Sequence, residues 1–171
     1  MATQGVGPND ITEANLPQAR PILQKWLKLV KVFDSDSPKT ALIAGDADLG
    51  IVWNGEAFLA QREKPSIQYV FPTEGAITFE DGFGLTTDAP HPDAAYAWMN
   101  YVLQADVAWL LLQDFPYTVP NRAALEYAQA NHPDVYAAYA DSIITNTPAA
   151  TLLAGHRVQD VGQALQYYDG L

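Results

Sequence analysis

The side chains that could do chemistry in this chain are aromatic rings and carboxylates at the ends of apolar runs. Trp53 closes the run Leu49–Trp53 and is followed by Asn54 and Gly55. Phe79 and Asp81 close another run, two residues apart, and at a strand's period of two their side chains share one face. Tyr117 lies in the proline-flanked stretch Phe115–Asn121. An aromatic face attracts an ammonium group by roughly 0.5–2 kcal/mol, and a carboxylate adds a charge-assisted hydrogen bond. Rings beside one or two acids therefore suit a slender aliphatic polyamine, with apolar contact for its methylenes and charge at its nitrogens. Plain packing accounts for the same residues: Trp53 as core, Asp81-Gly82 as a hairpin turn, Tyr117 lying over its own loop. Composition and periodicity do not separate these readings.

Enzyme signatures are missing. There is no nucleophile elbow, phosphate loop, dinucleotide fingerprint or paired-histidine zinc motif. His91, His132 and His156 are far apart, so their spacing gives no metal site, and His91 and His132 each precede a proline, as at helix starts. The chain has no cysteine, which excludes disulfides, thiolate metal ligation and a cysteine nucleophile. Carboxylates are numerous, so an acid–base hydrolase with Glu74 and Asp81 as its pair is a reading from another class, resting on abundance alone. Acids outnumber bases by 20 to 9, for a net charge of −11. That balance argues against a nucleic-acid footprint and against anionic membranes; it fits a cationic ligand, or solubility alone.

The elements that must position these residues come next. A length of 171 residues fits one domain or two small lobes. Asn9 or Asp10 caps a helical stretch reaching about Val32, and Pro17 or Pro21, inside that stretch, opens the longer helix at its first turn. A short helix covers Thr40–Ala47. Leu49–Trp53 reads as a strand buried on both faces, and Asn54 then caps a helix over Gly55–Glu63. Ile67–Phe71, Ala76–Phe79 and Phe83–Leu85 read as further strands. Helices follow over Ala94–Gln104 with Pro92 at its first position, Asp106–Gln113, Arg122–Asn131, Pro133–Ala140 and Asp160–Tyr168. Trp98 and Trp109 sit at helical spacing among apolar neighbours and are expected in the core. Strands come first and alternate with helices, so the class is α/β, where ligands bind beyond the carboxyl ends of strands. No apolar run approaches the ~20 residues that span a bilayer, and Met1–Gly7 lacks the character of a signal peptide.

Four segments, taken together, resemble one family. Leu49-Gly50-Ile51-Val52-Trp53-Asn54-Gly55-Glu56-Ala57-Phe58 is similar to a segment of the spermidine/putrescine-binding periplasmic proteins of ABC transporters. Val70-Phe71-Pro72-Thr73-Glu74-Gly75-Ala76-Ile77-Thr78-Phe79-Glu80-Asp81 resembles a second. Tyr101–Ala108 and Tyr117-Thr118-Val119-Pro120-Asn121-Arg122-Ala123-Ala124 resemble two more, in the same order and spacing. The resemblance runs from about Gly7 to Leu171.

It implies a periplasmic-binding-protein (type II) fold, two α/β lobes closing on a ligand, of which this chain is the C-terminal part. Residues 1–80 are then part of the second lobe, 81–128 the segment belonging to the first lobe, and 129–171 C-terminal helices returning to the second. Most of the N-terminal lobe is missing. Carried over by position, Trp53 is a wall of a polyamine slot. Phe79 stacks where the family usually has Trp, Asp81 pairs with an ammonium group, and Tyr117 supplies a ring or hydroxyl. Gln159 lies one position from a ligand-touching Gln of the family. Glu56 replaces a small residue and adds charge near the mouth. The implied partners are a polyamine ligand and an ABC transporter permease, the implied compartment the periplasm, with no catalytic residue, metal or cofactor. Alternatives are another small solute on the same fold, the hydrolase, or a non-binding truncated fragment that self-associates through uncovered apolar surface.

Overall fold

The structure is a computed structural model that describes residues 7–10, 12–164 and 166. Helices dominate it. The first, α1 (Leu16–Leu27), takes Pro17 in its opening turn, where a missing N–H costs little, and carries Pro21 inside. It is shorter at both ends than expected. Thr12 and Asn15 exchange hydrogen bonds with each other's main-chain N–H groups, which fixes a turn ahead of the helix.

Next come α2 (Lys39–Ala44) and α3 (Asn54–Glu63). Gly45 ends α2 at a φ of +83°, the left-handed conformation that favours glycine at a helix end. Lys64, just past α3, donates to the carbonyls of Leu42 (3.1 Å) and Ile43 (3.2 Å) at the end of α2. Lys39, opening α2, pairs with Glu56 in the first turn of α3. The two helices therefore lie side by side and run in the same direction.

The chain continues through β1 (Ile77–Thr78), α4 (Pro92–Val102), α5 (Ala105–Ala108), α6 (Leu110–Asp114), α7 (Arg122–Asn131), α8 (Pro133–Ala140), α9 (Ala149–Leu153) and β2 (His156–Arg157). His91 and His132 stand at the N-cap positions of α4 and α8, each followed by proline and neither making a capping side-chain hydrogen bond. β1 and β2 pair in parallel, Ile77 opposite His156 and Thr78 opposite Arg157. A parallel pair needs a long crossover, and here it contains α4 through α9.

The core has two parts. Leu112, Val119, Ala128 and Tyr139 pack together with Trp109, Leu125, Val135 and Tyr136 around them, joining α6–α8. Ala57, Phe58 and Ile144 form the second part, joining α3 to the segment after α8. The first cluster runs across the boundary between residues 128 and 129.

Several expected elements are corrected. Leu49–Trp53, Ile67–Phe71 and Phe83–Leu85 are not strands; among the described residues the sheet contains β1 and β2 alone. A strand buried on both faces draws its hydrogen bonds and cover from neighbours, and here Leu49 is 90% and Ile51 103% exposed. The strand expected at Ala76–Phe79 shortens to Ile77–Thr78. Asn54 does not cap α3: it is the first helical residue, and its side-chain amide donates to the Ile144 carbonyl at 3.1 Å. The helix expected from Asp106 to Gln113 is broken at Trp109 into α5 and α6. Trp98 is not core. It stands half-exposed on α4, edge-on to Phe83 at 4.8 Å, because α4 buries no residue. Of the expected helix Asp160–Tyr168, Gly162–Ala164 form one 3-10 turn, while residues 165 and 167–171 lie outside the described residues.

Candidate functional site

The site grows outward from the loop after α6. Pro116 is fully buried, and Thr118 Oγ1 donates to the Thr145 carbonyl at 2.8 Å. The Val119 N–H donates to the buried Tyr139 hydroxyl at 2.7 Å. Thr145 Oγ1 in turn donates to the Tyr139 carbonyl at 2.6 Å. Between these fixed residues the Tyr117 ring lies across the start of α3. It lies so close to Gly55 that a Cβ there would meet the ring at 2.6 Å. Glycine is required here by the close approach, not by its φ.

Trp53 is the residue before α3, in extended conformation, and its indole N–H donates to the Ser35 carbonyl at 3.3 Å. Phe79 continues β1 beyond its carboxyl end. Its ring meets Trp53 edge-on at 5.1 Å between centroids and Tyr117 at 6.4 Å. Phe115 lies nearly parallel to Tyr117 at 6.2 Å. Trp53 and Phe79 are 45% and 44% exposed, so these are accessible faces rather than sealed core.

Two carboxylates act on this cluster. The Tyr117 phenol is held above its ordinary pKa, first by burial, then by the charges of Glu56 and Asp81. A neutral phenol at physiological pH can donate or accept. Glu56 is nearly buried and accepts from Lys39 Nζ at 2.6 Å. Asp81 is exposed, and among the described residues no protein hydrogen bond or ion pair engages it. Next to it, Glu80 pairs with Arg157 of β2 at 2.7 Å.

Of the residues the sequence singled out, Trp53, Phe79 and Tyr117 thus meet, with the charges of Glu56 and Asp81 felt at the Tyr117 phenol. Gln159 stands two residues beyond β2, at the same end of the strand pair as Phe79. Its main-chain N–H donates to Asn9 Oδ1 at 2.9 Å, and Asn9 Nδ2 donates to the Arg157 carbonyl at 2.8 Å, which fixes the backbone there. Glu74, the other proposed hydrolase acid, accepts from its neighbour Thr73 at 3.0 Å. Among the described residues no group of three His, Asp or Glu side chains could hold a metal, and no helix is long and apolar enough to cross a membrane.

Sequence reasoning missed Gly55, Phe115, Ser35 and Lys39. Gly55 carried a signal in the Trp53-Asn54-Gly55 triplet, where glycine inside a helix start asks for a packing reason. Lys39 and Ser35 carried none, because their partners lie 17 and 18 residues away in sequence.

Phe79 thus sits just beyond the carboxyl end of a parallel strand, the side of the sheet where open α/β proteins bind ligands. The family model described as bacterial extracellular solute-binding protein matches residues 1–144, and the chain belongs to that family. Its curated relatives include the spermidine/putrescine-binding periplasmic protein of Salmonella typhimurium, 29% identical over 96% of this chain and 45% of the relative. The protein of the same name from Escherichia coli is 31% identical over 86% of this chain and 40% of its own. The putrescine/agmatine-binding protein of Pseudomonas aeruginosa is 28% identical over 86% of this chain and 42% of its own. The chain thus spans less than half the length of these relatives. No solved structure matches it.

Proposed function

We propose that this chain forms one side of a binding site for an aliphatic diamine or triamine of the putrescine–spermidine kind, in a periplasmic solute-binding protein serving an ABC-type importer. One observation carries the reading: Trp53, Phe79 and Tyr117 make a contiguous set of accessible ring faces, with the carboxylates of Asp81 and Glu56 acting on the same phenol. The rings receive the methylenes and the partial positive charge on them, and Asp81 receives an ammonium group. Gln159 and Glu56 are the outer members of this site. The names of the relatives support the ligand class and the compartment.

The same reading assigns residues 1–80 and 129–171 to one lobe and 81–128 to the segment returning to the other, with closure between lobes excluding water from the amines. It assigns no catalytic residue, and the permease is the partner that receives the closed form. Isolated copies of the chain self-associate through Leu49, Ile51 and Val70, all at least three-quarters exposed. Sedimentation at rising concentration tests that part, and a monomer throughout removes it.

The test of the ligand is a tryptophan-fluorescence titration with putrescine, spermidine and, as an anionic control, glutarate. The amines are expected to saturate and glutarate not. Asp81→Asn is expected to weaken amine binding about tenfold, the scale of a lost charge-assisted hydrogen bond. Saturation by glutarate with none by either amine would refute the reading.

A further inference from the structure

The two carboxylates of the site are in different states. Asp81 is exposed and engaged by no described protein cation, while Glu56 already has an ammonium group 2.6 Å away, that of Lys39. This ion pair is well shielded, with side chains 25% and 15% exposed, unlike the fully solvated Arg122–Glu126 pair of α7 at 91% and 70%. Lys39 opens α2, and a cation at the N-terminal end of a helix is opposed by the helix dipole. Helix preference therefore does not put Lys39 there; Glu56 does. The segment before α2 is also tied to the site, since the Ser35 carbonyl holds the Trp53 indole. Asp34 shapes that segment by accepting from the N–H groups of Asp36 and Ser37, both at 2.9 Å.

We propose that Lys39 is a tethered competitor for the ligand's ammonium group: it occupies Glu56, leaves Asp81 as the open carboxylate, and so limits the number of ammonium groups this side of the site accepts. The inference rests on the amine reading above. Glu56 follows Gly55, against which the Tyr117 ring lies, so a Glu56 freed of Lys39 stands beside the same ring set. A chain without the competitor offers two anionic groups along one aromatic face, which favours longer and more highly charged amines. Lys39 is thus a specificity residue acting through Glu56, not a contact of the ligand.

The experiment is calorimetric titration of the full chain with spermidine and putrescine, in the wild type and in Lys39→Gln, Lys39→Met, Lys39→Arg and Lys39→Gln/Glu56→Gln. Arg122→Gln removes the same charge from a solvated pair and controls for net charge. Lys39→Gln and Lys39→Met are expected to bind spermidine about fivefold tighter, with a smaller gain for putrescine. Lys39→Arg keeps the wild-type affinity, Arg122→Gln changes it less than about twofold, and the double variant loses the gain. A merely structural role for Lys39 would weaken binding in every one of its variants, not tighten it. Lys39→Met keeps the alkyl stem and serves if Lys39→Gln does not fold, which circular dichroism reports. Saturable spermidine binding with no gain in either variant, or a gain that survives in the double variant, overturns this inference and leaves the amine reading standing. No saturable binding of either amine by the wild type overturns both.

Discussion

Tyr117 and Phe79 face each other, yet they are held in different ways. The Tyr117 loop is fastened from both sides by buried groups: Pro116, the Thr118–Thr145 bond, and the Val119 N–H on the Tyr139 hydroxyl. Phe79 follows a strand pair two residues long, and past it Asp81 and Phe83 are exposed. Trp53 shares this second condition: its neighbours Leu49 and Ile51 are uncovered, and the Ser35 carbonyl holds its indole. The difference teaches that one face of the site is set by polar groups that are expensive to leave unpaired, and the other by ring contacts and few main-chain bonds.

The strongest break of that contrast is in the core. Leu112→Ala removes a side chain 2% exposed and is expected to cost about 2–5 kcal/mol in denaturant unfolding. Ile51→Ala, on the uncovered side, is expected to stay within about 0.5 kcal/mol. Equal losses from the two would end the comparison. Tyr139→Phe comes next, at about 1–3 kcal/mol, because it leaves the Val119 N–H buried without its acceptor. It is also expected to loosen the Tyr117 loop, read as faster amide exchange at Val119.

Gly55→Ala acts on the site more than on the fold. A methyl 2.6 Å from the Tyr117 ring must displace it, and the loss of that ring face costs up to about 2 kcal/mol of amine binding. Unchanged affinity would show that Tyr117 is not a ligand contact. Phe79→Trp sharpens the weakly held side by offering a stronger aromatic face, with a gain in amine affinity of about twofold.

The smallest effect is a titration. Burial, Glu56 and Asp81 hold the Tyr117 phenol above its ordinary value of 10.0. A raised folded-state pKa means that this contribution to stability is fully present below the unfolded value and is lost as pH rises through the folded one. Asp81→Asn removes one cause, so the Tyr117 phenol is expected to ionise at lower pH. Phenolate absorbance, with Tyr117→Phe as the blank, reads the change, and an unmoved titration would place Asp81 away from the ring.

Much of this is legible in the sequence. Helix starts at Pro92 and Pro133 read correctly because proline at a first helical turn is a local preference. Trp53, Phe79 and Tyr117 were legible as a set through chemistry and family resemblance. The strands were misread because an apolar run such as Leu49–Trp53 says that cover is wanted, not that cover is present. Trp98 was misread for the same reason: helical spacing specifies a face of α4, and only a packed neighbour makes it core.

By itself the sequence determined the local matters: where helices open, which residues carry ring faces and charge, and the absence of thiol chemistry. Only the tertiary structure decided that Gly55 must be glycine, that Asn54 reaches Ile144 and that Lys39 already occupies Glu56. The physical reason is distance along the chain. Propensity and periodicity act over a few residues, whereas a close ring approach or an ion pair depends on where two separated segments come to rest.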